Sequence, residues 1–152
     1  MFRQCLTALI LAVTLYVQTA CADQSVMVAT VAGRYEDVRE NLVFAIEGRG
    51  LVVNNIAHVG DMLERTAPDI GIGKSKRIYG QSEVFEFCSA TASRAMMEAD
   101  PRNIVYCPYT IAVYTLPEQA SKVFLAYRAL PPGPGLDAAN RLLREIVTDV
   151  QH

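Results

Sequence analysis

Apolar residues fall into two rhythms along this chain, and the places where the rhythm changes mark its elements. Val26 to Val31 is a β-branched apolar run that Gly33 ends, so it reads as a first strand. From Tyr35 to Glu47 the spacing becomes helical. Val38, Leu42, Ala45 and Ile46 recur on one side, while Glu36, Arg39, Glu40 and Glu47 cover the others. Gly48 and Gly50 stop that helix. Leu51 to Val59 reads as a second strand, with Val52, Ile56 and His58 on one face by period two. Asp61 to Thr66 predicts one or two helical turns before Ala67-Pro68, and Asp69 to Tyr79 a loop rich in Gly and Lys.

The second half repeats the alternation. Glu83 to Cys88 is a short strand and Ser89 to Glu98 a helix, with Ser89 as its N-cap and Asp100-Pro101 as its breaker. Tyr109 to Leu116 and Lys122 to Arg128 form a hairpin around Pro117 to Ala120. Pro131 to Gly135 is a stiff connector. Leu136 to Val150 is a last helix, where Leu136, Ala139, Leu143, Ile146 and Val150 make one apolar stripe. Strict βαβα alternation is missing and the hairpin comes late. The pattern therefore predicts an α+β fold, a two-layer sandwich with a mostly antiparallel sheet covered by helices. There is no internal repeat and no second domain.

The start of the chain has a different character. One positive charge in Met1 to Gln4 precedes an apolar run from Cys5 to Val17 that is short for a membrane span. Ala20-Cys21-Ala22 is a small-residue cleavage site. This is the layout of a secretory signal peptide over 1–22, leaving a single domain over 23–152 with no stable membrane span. One alternative is an uncleaved anchor, and a second is a lipoprotein anchored through Cys21. Ala20 suits it, whereas Gln18 stands where an aliphatic residue is usual.

Charge excludes one partner class. The chain has 14 Lys and Arg against 16 Asp and Glu; losing Arg3 with the leader leaves 13 against 16, a net of −3. No basic excess points to nucleic acid. Export with two remaining cysteines suits a bacterial periplasm, where disulfides persist.

Several stretches resemble the domain-of-unknown-function family 302. Gly33-Arg34-Tyr35-Glu36-Asp37-Val38 opens a helix that ends at Gly50, and His58 closes the second strand. Phe87-Cys88-Ser89-Ala90 leads into Ala95-Met96-Met97 and Asp100-Pro101, and Cys107-Pro108-Tyr109 opens the strand Ile111 to Tyr114. The resemblance spans Val26 to Leu130. It implies a small α+β domain, often a homodimer, with no established activity. Cys107 precedes Pro108 here, where some relatives carry a cysteine after the proline. Ser89-Ala90 stands where some have Asn-Pro. No cysteine role is carried over.

The candidate chemistry centres on Cys88 and Cys107, the two thiols that survive cleavage. The 18 residues between them form a strand end, a helix and a return, a path that can bring its ends together. A disulfide is one reading. A reversible redox pair is another, because Cys88 immediately precedes a helix whose N-terminus would stabilise a thiolate. Inert thiols are a third. A metal or haem-linked site is the fourth: Cys88, Cys107, His58 and Met62 supply the thiolate, imidazole and thioether ligands that suit copper or zinc, although their spacing matches no standard zinc pattern. Met96 and Met97 read as core filler. Asp61 is placed to orient the His58 imidazole.

Other signals are weaker. Gly71-Ile72-Gly73-Lys74-Ser75 resembles the end of a phosphate loop but has Pro68 where the first glycine belongs. Ser89 and Ser93 sit in no nucleophile elbow. Tyr106, Tyr109, Tyr114 and Tyr127 read as core or dimer contacts rather than as ligand contacts. The sequence therefore predicts an exported, non-enzymatic binding or accessory domain, a homodimer with a site around His58, Cys88 and Cys107 and no required cofactor. The second reading is a periplasmic thiol redox or metal-handling protein using the same residues.

Overall fold

The computed structural model describes residues 25–71 and 77–152. The segment 1–22 read from the sequence as a leader, with Cys5 and Cys21, lies outside them, as do Ile72 to Lys76. The strands are β1 (Val26–Ala32), β2 (Val52–Ala57), β3 (Ser82–Cys88), β4 (Tyr109–Thr115) and β5 (Lys122–Arg128). The helices are α1 (Tyr35–Glu47), α2 (Val59–Thr66), α3 (Ala90–Ala99) and α4 (Asp137–Val150), and Pro101–Tyr106 forms a short 3-10 segment. The five strands make one sheet in the order β1-β5-β4-β3-β2, antiparallel at every pairing. The α+β two-layer arrangement is the one the sequence pattern predicts.

Alternation decides which face of the sheet meets the helices. Tyr109, Ile111 and Val113 on β4, Val123, Leu125 and Tyr127 on β5, and Phe85 and Phe87 on β3 are all buried. The register places them side by side on one face. Helix α1 presents Tyr35, Val38, Leu42 and Ile46 to that face, and α4 presents Ala139, Leu143, Ile146, Val147 and Val150. Burying a side chain of this size contributes about 1.5–3 kcal/mol, so this seam is the main source of stability. An ion pair between Arg49 and Asp149, 2.6 Å apart, links the turn after α1 to α4. Met96 lies fully buried in the same core, as its reading as filler predicts.

Two local features join the layers. Gly135 has φ +79, a left-handed conformation that favours glycine, and a Cβ there would lie 2.7 Å from the Ala95 carbonyl oxygen. The connector can thus lie directly on α3. Asn140 on α4 then brackets Leu130: its Oδ1 accepts from the Leu130 N–H at 2.8 Å and its Nδ2 donates to the Leu130 carbonyl at 3.0 Å. The side chain continues the strand's hydrogen bonding beyond the end of β5.

The second strand departs from expectation. It ends at Ala57, and its register shifts between Val53 and Asn55. This bulge inserts a residue and breaks the period of two. Val53 pairs with Phe87 and Ile56 with Phe85, so Val53 joins Ile56 on the helix side. Val52 turns outward and is 68% exposed. His58 leaves the strand altogether and becomes the N-cap residue of α2.

Candidate functional site

Cys88 is the last residue of β3, and Cys107 follows the 3-10 segment at the start of β4. Phe87 pairs with Tyr109, so the two strands bring the cysteines together. Their Cα atoms are 6.4 Å apart and their sulfurs are bonded. Between them Ser89 caps α3, as expected, by accepting from the Ala92 N–H at 3.3 Å. Asp100 restarts the chain by capping the 3-10 segment at Arg102 N–H, 2.9 Å away. The Arg102 side chain hydrogen-bonds back onto Asp100 and holds that carboxyl below its ordinary value. Ser93 Oγ lies 3.7 Å from Cys107 Sγ and 3.2 Å from Tyr109 Oη.

The convergence of His58 and Met62 on these sulfurs does not occur. Val52 pairs with Cys88 and Ala57 with Val84, so β2 and β3 run in opposite directions and carry His58 to the far end of β3. The imidazole meets Glu83, five residues before Cys88. That separation is about 17 Å at the rise of a strand. Met62 is exposed on α2, its sulfur 3.9 Å from Thr66 Oγ1. Among the described residues, no three His, Cys, Asp or Glu side chains cluster as a metal site. Antiparallel pairing is the physical reason: consecutive paired strands place the end of one beside the start of the other.

What His58 does join is a compact polar cluster. Glu83 occupies a position that alternates with Phe85 and Phe87 and lies opposite Val113. Its carboxylate therefore projects to the helix-covered face, where its side chain is only 13% exposed. Such a charge needs partners. Nδ1 of His58 lies 3.0 Å from Oε1, and Nε of Arg39 donates to Oε2 at 2.5 Å. Arg39 also stacks over the Phe85 ring, its guanidinium carbon 5.5 Å from the ring centroid. One helical turn before Arg39, Tyr35 is buried with its hydroxyl beside the same carboxylate. Burial raises the Tyr35 phenol well above its ordinary 10.0, and the Glu83 charge raises it further while Arg39 opposes. Glu83 lies close enough to perturb the hydroxyl, yet the pair lacks full hydrogen-bond geometry and Tyr35 Oη has no other partner.

The cluster borders a cleft of about 170 Å³ at the end of β3. Tyr35, His58, Asp61, Arg77, Ser82 and Glu83 are among its lining residues. Ser82 Oγ is buried without a hydrogen-bond partner. Gly60 makes the closure tight: a Cβ there would sit 2.8 Å from Ser82 Oγ. Gln81 spans to α1 by donating to Glu36 at 2.9 Å, a hydrogen bond that lowers the Glu36 carboxyl. Asp61 lines the cleft, but the partner that orients His58 is Glu83. Sequence reasoning missed Glu83, Arg39, Tyr35 and Ser82. The available signals were an acid in phase with two buried phenylalanines, and the i, i+4 spacing of Tyr35 and Arg39.

This arrangement defines a small α+β sandwich domain, stapled by one disulfide at one end of β3 and carrying a polar cleft at the other. Its fold is that of a solved structure described as an uncharacterized conserved protein DUF302 from Bacillus stearothermophilus. The TM-score is 0.66 at 12% sequence identity, over 84% of this chain and 98% of that one. No family model matches the chain. No curated protein matches it either.

Proposed function

We propose that this chain is an exported, non-enzymatic binding domain whose ligand site is the cleft between His58 and Glu83, with Cys88–Cys107 acting as a structural staple. The observation that carries this reading is Glu83: a nearly buried carboxylate shared by His58 and Arg39 at the lining of a polar cleft, with the buried Tyr35 hydroxyl next to it lacking full hydrogen bonding. Burying a charge and leaving polar groups unpaired both cost stability, and such groups mark functional positions. Export rests on the leader over 1–22 and fits a disulfide that must persist. Cleavage before Asp23 is the expected processing, with lipidation at Cys21 as the alternative that mass spectrometry of the mature protein distinguishes.

The metal-handling reading draws less support, because the sulfurs bond to each other and lie apart from His58; a reversible redox pair would hold the same bond, and a reduction potential in the range of dithiol oxidoreductases would favour it over a staple. A homodimer is supported by the second sheet face. Val26, Val28, Ala112, Tyr114, Phe124 and Ala126 share it by register, and Val26 and Val28 are each 56% exposed. Light scattering would give a dimer mass, and Val28→Glu would return it to a monomer.

The binding reading is tested by mapping a fragment library onto the ¹H–¹⁵N spectrum of the oxidised protein. Hits should cluster on Gly60, Asp61, Gly80, Ser82 and Glu83. Hits confined to other surfaces would overturn it.

A further inference from the structure

The two edges of the sheet are built differently. β2 carries the bulge between Val53 and Asn55 and two adjacent asparagines. β1 runs for seven residues with no charge and no proline, in unbroken register against β5. Bulges, charges and prolines are the devices that keep a strand edge from pairing with another chain. β1 has none of them, and Val26, Met27 and Val28 on it are exposed. Alternation assigns its backbone groups. The Ala129 N–H donates to the Ser25 carbonyl at 2.6 Å, and the Gly33 N–H donates to the Ser121 carbonyl at 3.3 Å. Residues 25 and 33 therefore turn their peptide groups toward β5. In an antiparallel pair such residues alternate with residues whose N–H and C=O point away. Val26, Val28, Thr30 and Ala32 thus present theirs to the open edge.

Beside this edge lies a second cleft, of about 550 Å³, between Met27 and Tyr127 on the sheet and Asp137, Arg141 and Arg144 on α4. Met27 pairs with Tyr127 on the helix-covered side. A strand added outside β1 would send every second side chain to that side. The charge there is unbalanced. Two arginines stand against one aspartate, and neither arginine forms an ion pair among the described residues. Arg128, opposite Val26, puts a third cation at the same end of the edge. Burial raises the Tyr127 phenol, and the charge of Arg144 is near enough to oppose it.

We propose that β1 is a docking edge for an extended segment of another protein, which adds as a sixth strand and sets an acidic side chain on Arg141 and Arg144. Backbone pairing gives affinity for an extended chain, and the cleft beside it gives selectivity. Guanidinium groups hold a carboxylate by charge-assisted hydrogen bonds, so the acid is what the cleft selects. A second copy pairing through its own β1 would bring no acid on that strand. The face-to-face dimer covers side chains of the second sheet face and leaves this backbone edge open. The strand order puts β1 and β2 on opposite sides of the sheet, so the inference does not rest on the cleft at His58 and Glu83.

The test uses the full oxidised protein, labelled with ¹⁵N and titrated at matched ionic strength with two capped peptides, Thr-Glu-Thr-Val-Thr-Val and Thr-Lys-Thr-Val-Thr-Val. The glutamate peptide should shift the amides of Val26, Val28 and Thr30 saturably, in about the millimolar range for so short a strand. It should also slow hydrogen exchange at Val28 and Thr30. The lysine peptide should bind about tenfold more weakly, and the Arg141→Gln, Arg144→Gln double variant should bring the two within about twofold. Thr30→Pro removes one outward N–H at a position where an edge strand tolerates proline. Checked as folded by the rest of its spectrum, it should lose the binding of both peptides. Equal binding of the two peptides by the native protein would overturn the acidic partner. Shifts confined to residues away from β1, or none up to about 10 mM peptide, would overturn the docking edge. Slow exchange at Val28 and Thr30 in the free protein that dilution reverses would assign the edge to a second copy and overturn the proposal too.

Discussion

Nδ1 of His58 and Oε1 of Glu83 stand 3.0 Å apart, joining the N-cap of α2 to the helix-covered face of β3. The contact fixes which imidazole nitrogen faces the protein and leaves Nε2 for solvent or ligand. Neutral His58 should therefore carry its proton on Nδ1. Long-range ¹H–¹⁵N correlation reads the tautomer directly. In Glu83→Ala the preference should shift toward the Nε2–H form usual for a free imidazole. An Nε2–H tautomer in the native protein would contradict the hydrogen bond.

Removing the carboxylate should also cost stability, because Arg39 loses its partner on a mostly buried surface. Glu83→Gln keeps the shape but not the charge, and should destabilise by about 2 kcal/mol once solvent screening at Arg39 and His58 is discounted. Urea unfolding measures this. A change below about 0.5 kcal/mol would match a surface ion pair instead.

The staple has its own expected magnitude. Closing the loop between Cys88 and Cys107 stabilises by about 3 kcal/mol on the chain-entropy account. The Cys88→Ser, Cys107→Ser double variant should melt about 10 °C lower, given the temperature response of a domain this size. Differential scanning calorimetry with and without reductant separates this from other effects of substitution. Reductant should lower the native melting point and leave that of the variant unchanged.

Tyr35 sets an alkaline limit. Its folded-state pKa is raised above the unfolded value of 10.0. The contribution is fully present below pH 10 and is lost as pH rises through the higher folded value. Stability should fall from about pH 10 upward, less steeply in Tyr35→Phe. Tyr114 and Tyr127 are raised in the same direction, each chiefly by burial, so the variant should remove only part of the slope. Ultraviolet titration should show the last phenol to ionise disappearing in Tyr35→Phe.

Most of the fold was legible because its layers obey simple periods. The α4 stripe from Leu136 to Val150 is buried as its spacing predicts, and Ser89 caps α3 as its position predicts. The strand around Val52 was misread for a physical reason. A bulge at Val53 and Asn55 leaves no mark on composition, yet it reverses which residues face inward. The candidate site was legible only in halves. His58 and the cysteines were recognisable by type, but their separation depends on strand direction, which types do not encode. Glu83 reads as one more surface acid until Phe85 and Phe87 show which face it shares. Asn140 was invisible as a strand extension because its partner, Leu130, lies across the connector.

The central claim is that function lies at Glu83 and structure at the disulfide, two ends of one strand. The most direct measurement compares one cleft-binding fragment across three proteins: native, Glu83→Gln, and the Cys88→Ser, Cys107→Ser double variant held below its melting point. The account predicts an affinity within about twofold of native for the cysteine variant and a loss of about tenfold for Glu83→Gln. Binding that survives Glu83→Gln but disappears with the cysteines would contradict it.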